Sequence, residues 1–274
     1  MNVKKLITGV LALSLFMATG AVAAATPVEN KPEINFVEVQ TSGDSKAKVG
    51  PYQGDDTIII DSEGNQTTAG ELKALTNFKP AVDYDEINKL NSLPGNENSD
   101  NDPPTILSAY GNAWAYVQNN STSINCYAYS VRFPAWINPG DGDGTPNYND
   151  SGYFTNVNYT AGLVVADGNT NGLYFKSPWR TLSGLTSAVN SDEHRIALRV
   201  GWIDLNNNGT VDISSDLVDY HFMLQNNTGK WSEKAGQTPS KNTGITNPST
   251  HSWDLGNYKN FYNSSTAYIA AKVW

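Results

Sequence analysis

The spacing of apolar residues along this chain changes several times, and each spacing predicts an element. A largely apolar run over residues 6–18 follows Lys4 and Lys5 and leads into Ala21-Val22-Ala23-Ala24-Ala25. That order marks a secretory signal peptide with a small-residue cleavage site. The run is shorter than the roughly 18 to 20 residues that span a bilayer. Residues 1–25 are therefore expected to be removed on export from a bacterial cell, leaving a secreted, extracellular protein without a membrane anchor. Further along, Thr57-Ile58-Ile59-Ile60-Asp61 reads as a short strand, followed by the turn Ser62-Glu63-Gly64-Asn65. Thr68 and Glu71 then have capping-box spacing and open a helix through Leu75, and a second helical turn is expected over 85–90. Ile106, Tyr110, Trp114 and Val117 recur at spacings of four, four and three, which predicts a helix over 105–118. A shorter helix should begin near Ser123, carry Ile124, Tyr127 and Val131 on one side, and stop before Pro134. Residues 137–195 read as short strands and loops, with Ala161-Gly162-Leu163-Val164-Val165 as one of the apolar runs. The last third predicts strands over 196–202, 217–224, 230–235 and 266–274. Only Asn226-Asn227-Thr228-Gly229 separates the second of these from the third, so the sheet should be antiparallel.

Composition divides this pattern. Residues 26–56 are polar with little periodicity, and 91–104 are rich in Asn, Asp, Ser, Gly and Pro, which is linker chemistry. The expected organisation is an acidic N-terminal segment or pro-region with linker over 26–102 and a main domain over 103–274. The first holds fifteen acidic and six basic side chains, the second twelve and ten, so the acidity of the chain belongs to the N-terminal part. No basic stripe of the kind that binds phosphate is present, so nucleic acid is excluded as the expected partner. The fold class that follows is α+β, helices packed on an antiparallel sheet.

Candidate chemistry centres on Cys126, the single cysteine. Alone, it forms no intramolecular disulfide, and a free thiol outside the cell is open to oxidation. Two readings explain its presence: burial as a small hydrophobe, or service as a nucleophile armed at the start of a helix, where unpaired N–H groups favour the thiolate. A thiol nucleophile also needs a histidine as general base and acid. Of His194, His221 and His251, the best placed is His221. Strand alternation puts Val218, Tyr220, Phe222 and Leu224 on a core face, and Asp219, His221 and Met223 on a mixed face suited to a cleft. His194 follows Ser191-Asp192-Glu193 in what reads as a surface loop, and His251 lies in a loop rich in Pro, Ser and Thr. If the four-residue turn places Gly229 in the left-handed conformation, Met223 pairs with Glu233. Glu233 is then diagonal to His221, with Cα atoms about 7–8 Å apart, and can orient the imidazole. A register shift of one would make Asp219 or Asp254 the orienting group instead.

The blocks Asn125-Cys126-Tyr127-Ala128-Tyr129, Asp219-Tyr220-His221-Phe222 and Gly229-Lys230-Trp231-Ser232 resemble those of a group of secreted microbial proteins with the pattern NCYAYA, DYHF or DYHW, then DGxWSHKPG. Over residues 103–240 the arrangement is similar to papain-like thiol hydrolases of the NlpC/P60 and CHAP type. The resemblance implies a helix packed on an antiparallel sheet, hydrolysis of an amide in a peptide or cell-wall substrate, Cys126 as nucleophile and His221 as base. Where the pattern has histidine in WSHK, this chain has Glu233, which leaves the third role open.

One more motif changes the picture. Asp204, Asn206, Asn208, Thr210 and Asp212 occupy alternate positions of a D-x-N-x-N-G loop of the kind that wraps calcium, with Gly209 permitting the bend. Position twelve is Ser215 where a bidentate acid is expected, so the alternative is an Asn208-Gly209 hairpin turn carrying solvated polar groups. The chemistry requires no cofactor, and a structural calcium is the candidate this loop offers. The main function expected is therefore a secreted cysteine peptidase or amidase. The alternative is a non-catalytic surface or glycan-binding domain, possibly a degenerate hydrolase, in which some of the seven tryptophans stack on sugar rings.

Overall fold

The two long strands β6 (His194–Ile203) and β7 (Leu217–Gln225) pair antiparallel from Ile196 opposite Leu224 to Ile203 opposite Leu217, and they organise the molecule. Successive side chains of β6 go alternately to two apolar clusters. Ile196, Leu198, Val200 and Trp202 pack on one side, and Ala197 and Ile203 on the other. Burial on both faces is why 196–202 reads as a nearly continuous apolar run rather than as an alternation. The computed structural model describes residues 33–80, 109–144, 147–170 and 175–272. The signal peptide, the 85–90 turn and the 91–104 linker lie outside the described residues.

The sheet has six antiparallel strands in the order β5-β10-β6-β7-β8-β9. Its outer members are β5 (Arg180–Leu182), β10 (Ala267–Ala271), β8 (Trp231–Glu233) and β9 (Lys241–Asn242). The expected antiparallel sheet is present, and the mixed class is α+β with few helices. A second sheet of four short antiparallel strands, β1 (Val37–Val39), β2 (Ala47–Val49), β3 (Ile58–Ile60) and β4 (Gln66–Thr68), runs directly into helix α1 (Ala69–Lys73). Thr68 Oγ1 accepts from Glu71 N at 3.3 Å, and Glu71 Oε2 accepts from Thr68 N at 3.1 Å, so the capping box forms as the spacing predicts.

Three sequence expectations are corrected. First, residues 34–80 are not set apart from the rest: from Ile34 onward the described residues form one compact unit. Val39, Val49, Ile59 and Leu72 share an apolar cluster with Ile203, Met223 and Trp253. The backbone joins them too, with Ser42 N donating to Trp202 O at 3.2 Å and Asp204 N to Gln40 O at 3.1 Å. The acids that suggested a detached segment, such as Glu38, Asp55 and Asp56, point to solvent while the β-branched residues between them turn inward.

Second, the described part of the 105–118 span is no helix. Gly111 has φ +63°, and a Cβ there would lie 2.1 Å from the Glu193 carbonyl oxygen. The chain then runs irregularly beside the sheet, where Asn112 N donates to Glu193 O and Trp114 O accepts from Asn227 N. Trp114 and Val117 are 52% and 78% exposed, so the apolar spacing buries no face.

Third, Ala161-Gly162-Leu163-Val164-Val165 lies inside helix α4 (Val157–Thr170), not in a strand. Helix α2 (Cys126–Ser130) and helix α3 (Gly152–Thr155) precede it. The buried face of α4 is carried by Val157, Thr160, Ala161, Val164, Asp167 and Gly168. Polar and small residues supply the helical period there, so an apolar count does not reveal it. Gly168 is required by contact, since a Cβ would fall 1.9 Å from the Trp179 ring.

Candidate active site

Asn125 starts α2. Its Oδ1 accepts from Ala128 N at 3.0 Å, and its amide nitrogen donates to Ile137 O at 2.7 Å and to the Tyr220 hydroxyl at 2.9 Å. This cap sets the helix start three residues later than the expected Ser123 and makes Cys126 its first residue. Stacking of Tyr127 on Phe222, with centroids 4.8 Å apart, presses the helix onto β7. Cys126 is fully buried, and its Sγ is directed at the Tyr220 carbonyl, 3.7 Å away. Burial pushes the thiol well above its ordinary value, and the charges of Asp219 and Glu233 add to this. The N–H groups of Phe222 and Tyr127 act in the opposite direction without prevailing.

The β7–β8 turn closes as its sequence predicts. Asn226 N donates to Lys230 O at 2.8 Å, Gly229 has φ +78°, and Met223 pairs with Glu233. His221 and Glu233 are therefore diagonal neighbours on one face, and Nε2 of the imidazole lies 2.8 Å from Oε2 of the carboxylate. The other oxygen of Glu233 meets Lys241 Nζ at 2.8 Å. Burial alone would raise the Glu233 carboxyl. The interactions with His221 and Lys241 outweigh it and hold the group down at about 2. The His221 ring stacks on Tyr262 at 5.2 Å and meets the edge of Trp253 at 5.7 Å.

The two alternative orienting acids are spent elsewhere. Asp219 accepts from the backbone N–H groups of Asn77 and Phe78 at 2.9 Å and from the Tyr262 hydroxyl at 2.6 Å. Burial pushes it up to about 6 despite these donors. Asp254 is paired with Lys259 at 2.9 Å. His194, expected in a surface loop, is instead the fully buried first residue of β6. Its Nε2 lies 3.0 Å from Ser130 O, and burial lowers its pKa to about 3.

A cleft of about 640 Å³ opens over this face, walled by His221, Glu233, Trp136, Trp253, Tyr262 and Lys79, with exposed His251 at its side. Cys126 is not in its wall. The thiol belongs to the helix-side cluster, while His221 has the parity of Met223, which packs in the other cluster. Among the described residues, no hydrogen bond joins Sγ to the imidazole. Asn77 reaches both the imidazole and the Tyr220 carbonyl that the thiol approaches. Its Oδ1 accepts from Gly236 N at 2.7 Å, which fixes the amide orientation, so Nδ2 faces Asp219 Oδ2 at 3.1 Å, the Tyr220 carbonyl at 3.2 Å, and His221 Nδ1 and the Tyr262 hydroxyl at 3.4 Å. The ionised Glu233 carboxylate can only accept, so Nε2 carries the proton in that contact. Nothing in the sequence pointed to Asn77, because it lies in the stretch that composition assigned to a separate segment.

The residues of the expected calcium loop hydrogen-bond within the loop. Asp204 accepts from the N–H groups of Asn208 at 3.1 Å and Gly209 at 2.7 Å, and Asn208 Oδ1 accepts from Thr210 N at 2.8 Å. Asp212 Oδ1 accepts from Ser214 N at 2.9 Å. Asn206 turns its amide nitrogen, not its oxygen, towards Ser215 Oγ at 2.9 Å. Asp216, the acid one place beyond the expected ligand, accepts from Trp202 Nε1 and from the N–H groups of Leu205 and Asp212. These bonds close the loop, and each carboxylate oxygen of Asp204 accepts one backbone N–H. Among the described residues, no group of three His, Cys, Asp or Glu side chains is placed to hold a metal ion.

Comparison with protein-family models, with curated proteins and with solved structures gives no match to this chain.

Proposed function

We propose that this chain is an exported cysteine hydrolase of papain-like arrangement that cleaves an amide bond in a peptide or peptidoglycan substrate. Cys126 acts as nucleophile, His221 as base and acid, and Glu233 as the group that orients the imidazole. The observation that carries the reading is the 2.8 Å contact between His221 Nε2 and Glu233, which leaves Nδ1 as the basic nitrogen on the side of the Tyr220 carbonyl that Cys126 also approaches. In turnover the thiol proton passes to Nδ1, sulfur attacks the carbonyl carbon, and the tetrahedral adduct collapses to a thioester as the leaving amine takes the proton. Water then hydrolyses the thioester with His221 as base. This sequence requires the Asn77 side chain to leave Nδ1 and the thiol to reach the cleft.

The second reading is a non-catalytic binding domain on the same scaffold. It is favoured by the complete burial of Cys126 and by the aromatic wall of Trp136, Trp253 and Tyr262. Iodoacetamide at neutral pH and release of amines from wall peptides separate the two. Turnover lost in Cys126→Ser and in His221→Ala supports the hydrolase. Turnover unchanged in Cys126→Ser, or a Cys126 that reacts only after denaturation in both the wild type and Asn77→Ala, overturns it.

A further inference from the structure

A second cleft, of about 420 Å³, lies between the irregular stretch after Trp114, helix α2 and the end of β7, and shares no lining residue with the first. Its walls are mostly aromatic and aliphatic, including Trp114, Tyr116, Val117, Ile124 and Phe133. None of the described lining side chains is acidic, and Arg132 is the one charged group among them.

Arg132 stands at a position that its backbone does not favour. Phe133 N donates to Ala128 O at 2.8 Å and Arg132 N to Tyr129 O at 3.3 Å, the pattern that ends a helix with one left-handed residue. Arg132 is that residue, with φ +58°. Glycine fills this place without strain, whereas another residue type costs roughly 1 kcal/mol. An arginine kept there at such a cost points to a use for its side chain. Its guanidinium lies 3.5 Å from the centre of the Trp114 ring, with Nη2 donating to Asn112 O at 3.3 Å. Among the described residues, buried Nη1 has no hydrogen-bond partner and no carboxylate pairs with the group. Burial lowers its pKa to about 9, the mark of a cation short of compensation.

A second unpaired donor lines the same cleft. Asn226 is 3% exposed, and its Oδ1 accepts from Thr228 N at 3.1 Å and from the Thr228 hydroxyl at 2.6 Å. An N–H can only donate, so the amide orientation is fixed and Nδ2 is the end left over, buried and without a partner among the described residues.

From the two unpaired donors and the apolar walls we propose that this cleft binds a carboxylate carrying an apolar group. The carboxylate pairs with Arg132 and Asn226, and the apolar body lies among Trp114, Val117 and Ile124. The half-exposed Trp114 ring moves off the guanidinium to admit the ligand, exchanging a cation–π contact for a charge-assisted hydrogen bond. The carboxylate belongs either to a free acid or to the C-terminus of a peptide. The proposal does not depend on the hydrolase reading.

Ligand-observed saturation-transfer NMR on the full chain tests it, with N-acetyl-phenylalanine, N-acetyl-Ala-Ala-Phe and the C-terminal amide of each. Both acids, or the tripeptide acid alone, should bind with dissociation constants on the order of millimolar, and the amides should not. The first pattern assigns a free-acid site and the second a chain-end site. Arg132→Gly suits the left-handed backbone, so it should melt at or above the wild-type temperature while losing at least about tenfold in affinity. Asn226→Asp keeps the acceptor for Thr228 and replaces the free donor with an acceptor, and it should lose binding similarly. Equal binding of acids and amides, wild-type affinity in a folded Arg132→Gly, or no binding of either acid at high millimolar concentration would each overturn the proposal.

Discussion

The side-chain nitrogen of Asn77 lies 3.4 Å from Nδ1 of His221 and 3.2 Å from the carbonyl of Tyr220, the same carbonyl that receives the Cys126 thiol at 3.7 Å. A residue from the N-terminal stretch thus holds the imidazole nitrogen that a thiol nucleophile would need. Backbone bonds from Asn77 and Phe78 to Asp219 fix it in place. Asn77→Ala removes the amide from Nδ1 and is expected to raise the rate of Cys126 alkylation at neutral pH by about tenfold or more. It also leaves Gly236 N without its acceptor, at a cost of about 1–3 kcal/mol of folding stability. Alkylation rates beside urea denaturation curves measure both effects. An unchanged alkylation rate in a folded variant would show that Asn77 does not guard the thiol.

Glu233 makes stability depend on acid. Its carboxyl is held at about 2, below its unfolded value near 4.5, so the ionised form is favoured in the folded state. The resulting stabilisation is fully present above about pH 4.5 and is lost as pH falls towards 2. Glu233→Gln removes the charge and should flatten that part of the profile, with a loss of about 1–3 kcal/mol at pH 6. Denaturation midpoints of the two proteins between pH 6 and 2 should therefore converge as the pH falls.

Asp167 acts in the other direction. It is buried on α4, where it accepts from the Tyr127 hydroxyl at 2.7 Å and from Gly140 N at 2.8 Å, and burial pushes its carboxyl up to about 7. A folded value above the unfolded 3.8 means that the native state binds a proton more readily. Its contribution is therefore present below about pH 4 and is lost as pH rises towards 7. Asp167→Asn should show a smaller fall in stability between pH 4.5 and 7.5 than the wild type. Thermal melts at the two pH values check this, and an equal fall in both proteins would remove Asp167 from the account.

The His221–Glu233 contact was legible because it depends only on local rules. Period two fixed the face, and a four-residue turn ending in Gly229 fixed the register. Long-range relations were not legible in the same way. Cys126 at a helix start suggests a thiolate, yet Tyr220 and Phe222 bury it, and burial outweighs the donors beside it. The helix α4 was missed because Thr160, Asp167 and Gly168 fill its buried face, and the satisfaction of Asp167 comes from Tyr127 and Gly140, which are distant in sequence. The 105–118 spacing looked helical, but Gly111 and the Glu193 carbonyl set the path of that stretch. In each case the deciding partner lies on another element, where no window along the chain can find it.

The loop after β6 gives a test of cation dependence. Asp204 is buried and closes the turn by accepting from two backbone N–H groups. Asp204→Ala is expected to cost about 1–3 kcal/mol whether or not calcium is present, because those donors lose their acceptor. Millimolar calcium or EDTA should move the wild-type melting temperature by less than about 1 °C. A clear rise with calcium that is absent in Asp204→Ala would assign the loop as a cation site.

The shared core between the N-terminal strands and the main sheet predicts what truncation does. Val39, Val49, Ile59 and Leu72 cover the face of the large sheet that carries Ile203 and Met223, and Asn77 satisfies the buried carboxylate of Asp219. A chain that starts at residue 103 exposes that apolar face and leaves Asp219 without two of its backbone donors. It should therefore fail to unfold cooperatively, and it should bind hydrophobic dyes in the absence of denaturant. A chain that starts at residue 33 should keep the wild-type transition, since the described contacts of the N-terminal strands begin there. Circular dichroism melts and dye binding on the two truncations distinguish a structural segment from a removable one. A cooperative melt from the 103–274 chain would mean that the strands over 37–68 add to a core already complete without them.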